Sequence, residues 1–150
     1  MTQTEASDLY LEIPEGPPPF PLPRRTMESD PIWASGRDGV LRVDRCGSCG
    51  YYIQPPSPRC PECSGWSVEP TPVSGRGTIY TFTLCVQPFI PGFPPYCMAL
   101  VEIDEQPGFR VIGRVAGCRA SEVEIGRAVE TSFTEVNDDV WVPYFTLATS

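Results

Sequence analysis

The chain has 150 residues, enough for one domain or two very small ones. Its 11 basic and 19 acidic residues leave a formal charge of −8, and every basic residue is Arg, with no Lys and no His. Without His there is no Ser-His-Asp or Cys-His catalysis from this chain and no imidazole metal ligand; without Lys there is no Schiff base and no phosphate-binding Walker lysine.

The acidity argues against a nucleic-acid partner, because neutralising phosphates needs a basic footprint. No stretch approaches the roughly 18 apolar residues of a membrane-spanning helix. The start, Met1-Thr2-Gln3-Thr4-Glu5, lacks the cationic and apolar regions of a secretory signal. A cytoplasmic protein without membrane partners is expected. In a reducing compartment its seven Cys read as metal ligands and buried thiols, not disulfides.

Three regions follow along the chain. Residues 1–44 form a Pro-rich arm, with Pro17-Pro18-Pro19-Phe20-Pro21-Leu22-Pro23 favouring extended backbone. It reads either as a disordered tail or as an arm that lies along a partner. Tyr10, Leu11, Ile13, Phe20, Leu22, Ile32 and Trp33 make it more apolar than a solvated tail. A short helix is expected from Ser29-Asp30-Pro31 to Gly36, then a short strand over Val40–Val43.

Residues 45–73 carry the strongest signal. Cys46-Gly47-Ser48-Cys49-Gly50 and Cys60-Pro61-Glu62-Cys63-Ser64-Gly65 are two Cys-x-x-Cys knuckles separated by ten residues. Cys46, Cys49, Cys60 and Cys63 at this spacing suit a tetrahedral site, with Gly50 and Gly65 supplying the open backbone that such turns need. Zinc is the favoured ion. Iron is the alternative, because the knuckles also resemble those of rubredoxin-type domains. Four thiolates leave no open position, so the metal is structural. It holds together about 30 residues that bury little apolar surface by themselves.

Residues 74–150 read as all-β. Strands are expected over Thr78–Val86, Tyr96–Ile103, Phe109–Ala116, Ala128–Val136 and Val140–Leu147. Cys97, Ala99, Val101 and Ile103 share one face of the second; Phe109, Val111, Gly113 and Val115 share one face of the third. One helical turn over Arg119–Glu124, ended by Gly126, follows the third strand. Five strands with that insertion have the layout of an OB barrel. Pro143 in the closing strand fits an edge or a bulge. The fold class is mainly β: extended and helical arm, rubredoxin-like zinc ribbon, five-stranded OB barrel.

Several residues carry two readings each. The loop Gln87–Pro95, with Phe89, Ile90 and Phe93 among four Pro, either docks into a partner or covers a hydrophobic ligand, or caps the barrel end. Arg76 either meets a ligand phosphate or makes a surface ion pair. Cys85 and Cys97 could face each other across a hairpin but read as buried thiols, and Cys118 has no visible partner. Glu102 and Asp104 share a strand face, as a solvated strand end or an acid-base pair.

The ribbon feeding Ser74-Gly75-Arg76-Gly77-Thr78-Ile79-Tyr80, then Pro95-Tyr96-Cys97-Met98-Ala99-Leu100-Val101-Glu102-Ile103-Asp104, then Val123-Glu124-Ile125-Gly126-Arg127-Ala128-Val129-Glu130, resembles the acyl-CoA-associated zinc-ribbon OB-fold family. The likeness covers roughly residues 30–148. It implies a non-catalytic accessory subunit that assembles with a thiolase-fold catalytic subunit, as a heterotetramer, and shapes an acyl-CoA channel. Members of the family serve thiolases, including those of aromatic degradation, and aldolases that shorten steroid side chains as CoA thioesters. A free-standing acyl-CoA or lipid-binding module and a nucleic-acid-binding OB protein are the alternatives. The missing Lys and the acidity weigh against the second of these.

Overall fold

The computed structural model describes residues 6, 8–18, 21–87 and 89–149. The polar start Met1–Glu5, Pro19 and Phe20 of the arm, and Pro88 of the loop lie outside them.

Period-two alternation builds the C-terminal half. Strands β5 (Arg76–Cys85), β6 (Tyr96–Ile103), β7 (Arg110–Val115), β9 (Ala128–Asn137) and β10 (Val140–Leu147) close into a barrel in the order β10-β7-β6-β5-β9. All five expected strands are present, β6 and β10 with the expected bounds and the others with ends shifted by one or two residues. Successive side chains on β6 and β7 point to opposite faces, so Cys97, Ala99, Val101, Ile103, Val111 and Val115 fill the interior. Ile112, on the other face of β7, is 61% exposed.

β5 serves two neighbours. Thr78–Arg76 pair with Ala128–Glu130 of β9, while Gly77–Cys85 pair with β6 through a register shift between Ile79 and Thr81. The extra residue, Tyr80, bends the strand so that it can turn between the two. Closure comes from β10, antiparallel to β9 along its whole length and parallel to β7 at Tyr144 and Phe145 only. Pro143 stands just before that short parallel contact, where β7 requires no donor from it. Phe145 plugs the seam with no exposed surface. It fits because its neighbour is Gly113: a Cβ there would lie 2.7 Å from the Phe145 ring.

Between β7 and β9 lie the two-residue β8 (Cys118–Arg119) and a single 3-10 turn, Ala120–Glu122. This is the expected insertion, shorter than an α-helical turn. The Glu122 carboxylate accepts from the Arg119 backbone N–H at 2.7 Å and caps it.

The N-terminal half wraps this barrel. β1 (Tyr10–Leu11) pairs antiparallel with β8, and Leu11 is buried in the main core. Thr134 Oγ1 donates to the Pro14 carbonyl at 2.6 Å. Residues 8–18 thus form a strap against the chain's own barrel, which neither arm reading anticipates. The short helix α1 (Asp30–Ala34) carries Pro31 in its first turn and runs into a 3-10 turn, Ser35–Arg37. Buried Ser35 Oγ donates to the Pro31 carbonyl and accepts from the Arg42 N–H, at 2.7 and 2.9 Å. That hydroxyl ties the helix to the next strand.

β2 (Arg42–Cys46), β3 (Tyr52–Ile53) and β4 (Val68–Pro72) form a three-stranded sheet in the order β3-β2-β4. β2 begins later than Val40–Val43, because the Val40 N–H closes back on the Ser35 carbonyl after the turn at Asp38 and Gly39; Leu41, outside the strand, is nevertheless buried. The sheet joins the barrel through Leu41, Val43 and Val73, which belong to the same core cluster. Gln106 bridges the halves: its side chain accepts from the Tyr52 N–H at 2.9 Å and donates to the Tyr52 carbonyl at 3.3 Å. Tyr52 also stacks on Phe109 with ring centroids 5.6 Å apart.

Candidate functional site

The two knuckles repeat one backbone geometry. In the first, the Cys46 N–H donates to the Tyr51 carbonyl and the Gly50 N–H to the Cys46 carbonyl; in the second, Cys60 to Gly65 and Ser64 to Cys60. The residue after the second cysteine of each knuckle takes a left-handed conformation: Gly50 at φ 78 and Ser64 at φ 61. The expectation for Gly65 is corrected here. The open backbone falls on Ser64, and Gly65 matters for closeness: a Cβ there would lie 3.3 Å from Cys63 Sγ.

The turns bring Cys46, Cys49, Cys60 and Cys63 together, with all four Sγ atoms within 4.8 Å of one another. Cys46 Sγ lies 3.6 Å from Cys63 Sγ and Cys49 Sγ 3.7 Å from Cys60 Sγ. Thiolates around one zinc ion at ~2.3 Å stand roughly 3.8 Å apart at the tetrahedral angle, so the set fits the ion. The electrostatic surroundings of the thiols point the same way. The backbone N–H groups of Cys49 and Ser48 pull the Cys46 thiol down to about 6. At Cys49 the Tyr51 N–H pulls down too, but desolvation and the sulfurs of Cys63, Cys46 and Cys60 outweigh it and push the thiol up to about 12. Four thiolates this close need a cation among them. Cys46 and Cys60 are buried beside Ile53; Cys49 and Cys63 are exposed.

The other singled-out residues disperse. On the loop, Phe89 is 92% exposed, whereas Phe93 is half-buried and meets Tyr96 edge-on at 5.6 Å. Ile90 is half-buried, and its carbonyl accepts from the Phe93 N–H. Arg76 is exposed on β5 opposite Glu130, with no carboxylate within 4.0 Å among the described residues. Cys85 pairs with Tyr96, and Cys97 with Leu84. That register puts the two thiols on opposite faces of the sheet, so they do not face each other. Cys97 is buried, as expected, and so is Cys118, whereas Cys85 is only half-buried, at the end of β5. Glu102 accepts from Arg110 Nε and from the Gly108 N–H, both at 3.1 Å, while Arg110 covers the Tyr80 ring at 3.5 Å. Glu102 is thereby a brace for the β6–β7 turn, and Asp104 is exposed beyond it.

Arg114, and Trp33 beyond its apolar character, carry no site signal of their own in the sequence. Each carries a buried N–H without a hydrogen-bond partner, Arg114 Nε and Trp33 Nε1. The only signal available was an Arg in mid-strand beside a loop of aromatic residues.

Known proteins share this arrangement. Residues 33–69 match the profile of the "ChsH2, rubredoxin-like zinc ribbon domain" and residues 70–134 that of the "ChsH2, C-terminal OB-fold domain". A DUF35 domain-containing scaffold protein of Methanocaldococcus jannaschii is 33% identical over 98 residues, covering 63% of this chain and 68% of that protein. The chain belongs to the ChsH2/DUF35 family.

Within the family, a probable enoyl-CoA hydratase alpha subunit of Thermomonospora curvata is 31% identical over 106 residues, 70% of this chain. The chain spans 33% of that longer relative. The benzoylsuccinyl-CoA thiolase subunit BbsA of Thauera aromatica is 40% identical over 50 residues, 33% of this chain and 35% of that subunit. Among solved structures, a chain of the Ltp2-ChsH2(DUF35) aldolase superposes with a TM-score of 0.75 at 27% identity, over 85% of this chain and 100% of that one.

Proposed function

We propose that this ChsH2/DUF35 chain is a non-catalytic accessory subunit of a thiolase-fold enzyme acting on an acyl-CoA, by thiolysis or retro-aldol cleavage. The observation that carries the reading is the likeness to a chain of the Ltp2-ChsH2(DUF35) aldolase along that chain's whole length. The superposition runs over all of that chain and 85% of this one. The relative from Thauera aromatica, a thiolase subunit, extends the reading to thiolases.

The chemistry of the chain is in keeping with it. The four cysteines hold one structural zinc and leave no open coordination position. Cys97 and Cys118 are buried thiols pushed upward by desolvation, the reverse of an activated nucleophile. No His or Lys is available as a base. The catalytic residues belong to the partner, and this subunit assembles the complex and shapes its acyl-CoA channel. Phe89, Ile90 and Phe93 face the partner, Arg76 is free to meet a CoA phosphate, and the assembly is a heterotetramer.

The test is reconstitution with the thiolase-fold protein that co-purifies from the native source. This chain alone turns over no acyl-CoA, and activity appears on mixing. Phe89→Ala weakens the complex by about 2 kcal/mol or more if the ring is a buried anchor. The isolated chain keeps its melting temperature, because that ring touches solvent in the free chain. Unchanged association would remove the loop from the interface. A monomer that binds acyl-CoA without any partner would replace the proposal by a free-standing binding module.

A further inference from the structure

The strap does not lie flat on the barrel. Between residues 12–18 and the strands beneath them remains a cavity of about 300 Å³, within the range of small-molecule pockets. Its walls are predominantly apolar, with Ile13 from the strap, Trp33 from α1, Val136 from β9, and Val142 and Tyr144 from β10. Arg114 of β7 also lines it.

Two polar groups in this lining are unaccounted for. Trp33 Nε1 and Arg114 Nε are buried without a hydrogen-bond partner, although buried donors are nearly always paired. No carboxylate of the described residues lies within 4.0 Å of the Arg114 guanidinium, in a chain with 19 acidic residues. It rests instead against the Phe93 and Tyr96 rings, at 5.5 and 5.3 Å. Desolvation pulls its pKa downward from the ordinary guanidinium value, the mark of a cation short of compensation.

We propose that the cavity binds a small apolar molecule ending in a single carboxylate, its tail among the apolar walls and its carboxylate accepting from Arg114. The guanidinium fork matches a carboxylate in shape and charge. Glu12 and Glu15 stand exposed at the rim and disfavour a ligand of higher negative charge, such as a phosphate, relative to a single carboxylate. The site lies wholly within this chain. It goes beyond the accessory-subunit reading and stands or falls without a partner.

Calorimetric titration of the full-length chain with decanoate, and separately with decanol, tests this. Decanoate is expected to bind at one site, and decanol more weakly. Arg114→Gln should weaken decanoate by about tenfold or more and leave decanol unchanged, as expected for loss of a charge-assisted pair. Val142→Trp should fill the cavity and abolish both, with melting curves confirming that the variants are folded. The comparison of the two probes on the unaltered chain needs no variant at all. Absence of saturable decanoate binding up to about 1 mM, equal affinity for both probes, or an unchanged Arg114→Gln affinity would each overturn the proposal.

Discussion

Cys97 is wholly buried against the barrel core, and desolvation pushes its thiol from 9.0 up to about 12. The folded state keeps this proton while the unfolded chain begins to release it near pH 9.0. The contribution to stability is therefore full below that value and is lost as pH rises toward about 12. Cys97→Val, similar in volume and unable to ionise, should remove this part of the alkaline decline. At pH ~10 the variant should have lost on the order of 1 kcal/mol less than the unaltered chain. Melting temperatures of the two chains between pH 7 and ~10 decide it, and parallel curves would mean that water reaches the thiol.

Among the elements, the ribbon depends most on a single feature. Its tip buries only Cys46, Ile53 and Cys60 as a separate cluster, too little to fold unaided. Cys60→Ser should abolish stoichiometric zinc by elemental analysis and melt the sheet of β2, β3 and β4, because metal binding there is folding free energy of about 10 kcal/mol or more. The barrel should survive but lose stability, since Tyr52 would release Gln106 and Phe109. Retention of one zinc per chain would refute this ligand set. The strap is the second test. Leu11 is 1% exposed and anchors β1 on β8. Leu11→Ala should cost about 2–4 kcal/mol and open residues 12–29 to limited proteolysis. A cleavage pattern identical to that of the unaltered chain would mean that the polar contacts at Pro14 and Arg119 hold the strap unaided.

At the scale of the whole molecule, the ribbon, strap and barrel share one core through Leu11, Leu41, Val43, Val73 and Val123. The fold is thus a continuous body that presents loop Gln87–Pro95 at one place and the knuckles at another. The barrel and the ribbon were legible in the primary structure because their signals are local. Alternation along β6 and β7 sets the buried face residue by residue, and Cys-x-x-Cys spacing sets where thiolates converge. The strap was not legible. A two-residue strand followed by Pro has no periodicity, and its pairing partner lies more than a hundred residues away. The hairpin register was illegible for a related reason: which residue faces Cys85 depends on how an irregular Pro-rich loop turns, and it turns so that Cys85 pairs with Tyr96 and Cys97 with Leu84.

What the amino-acid sequence determined by itself is which side-chain chemistries this chain carries. The lack of His and Lys, the four-cysteine pattern and the alternating apolar faces are properties of composition and short spacing, which folding does not alter. What only the tertiary structure decided is which polar groups end up buried and unpaired. Arg114 is one Arg among 11 in the chain. Its isolation from every described carboxylate, beneath a strap from the far N-terminus and beside the rings of Phe93 and Tyr96, arises from contacts between distant segments. Solvation and pairing depend on three-dimensional neighbours, and no local pattern encodes them.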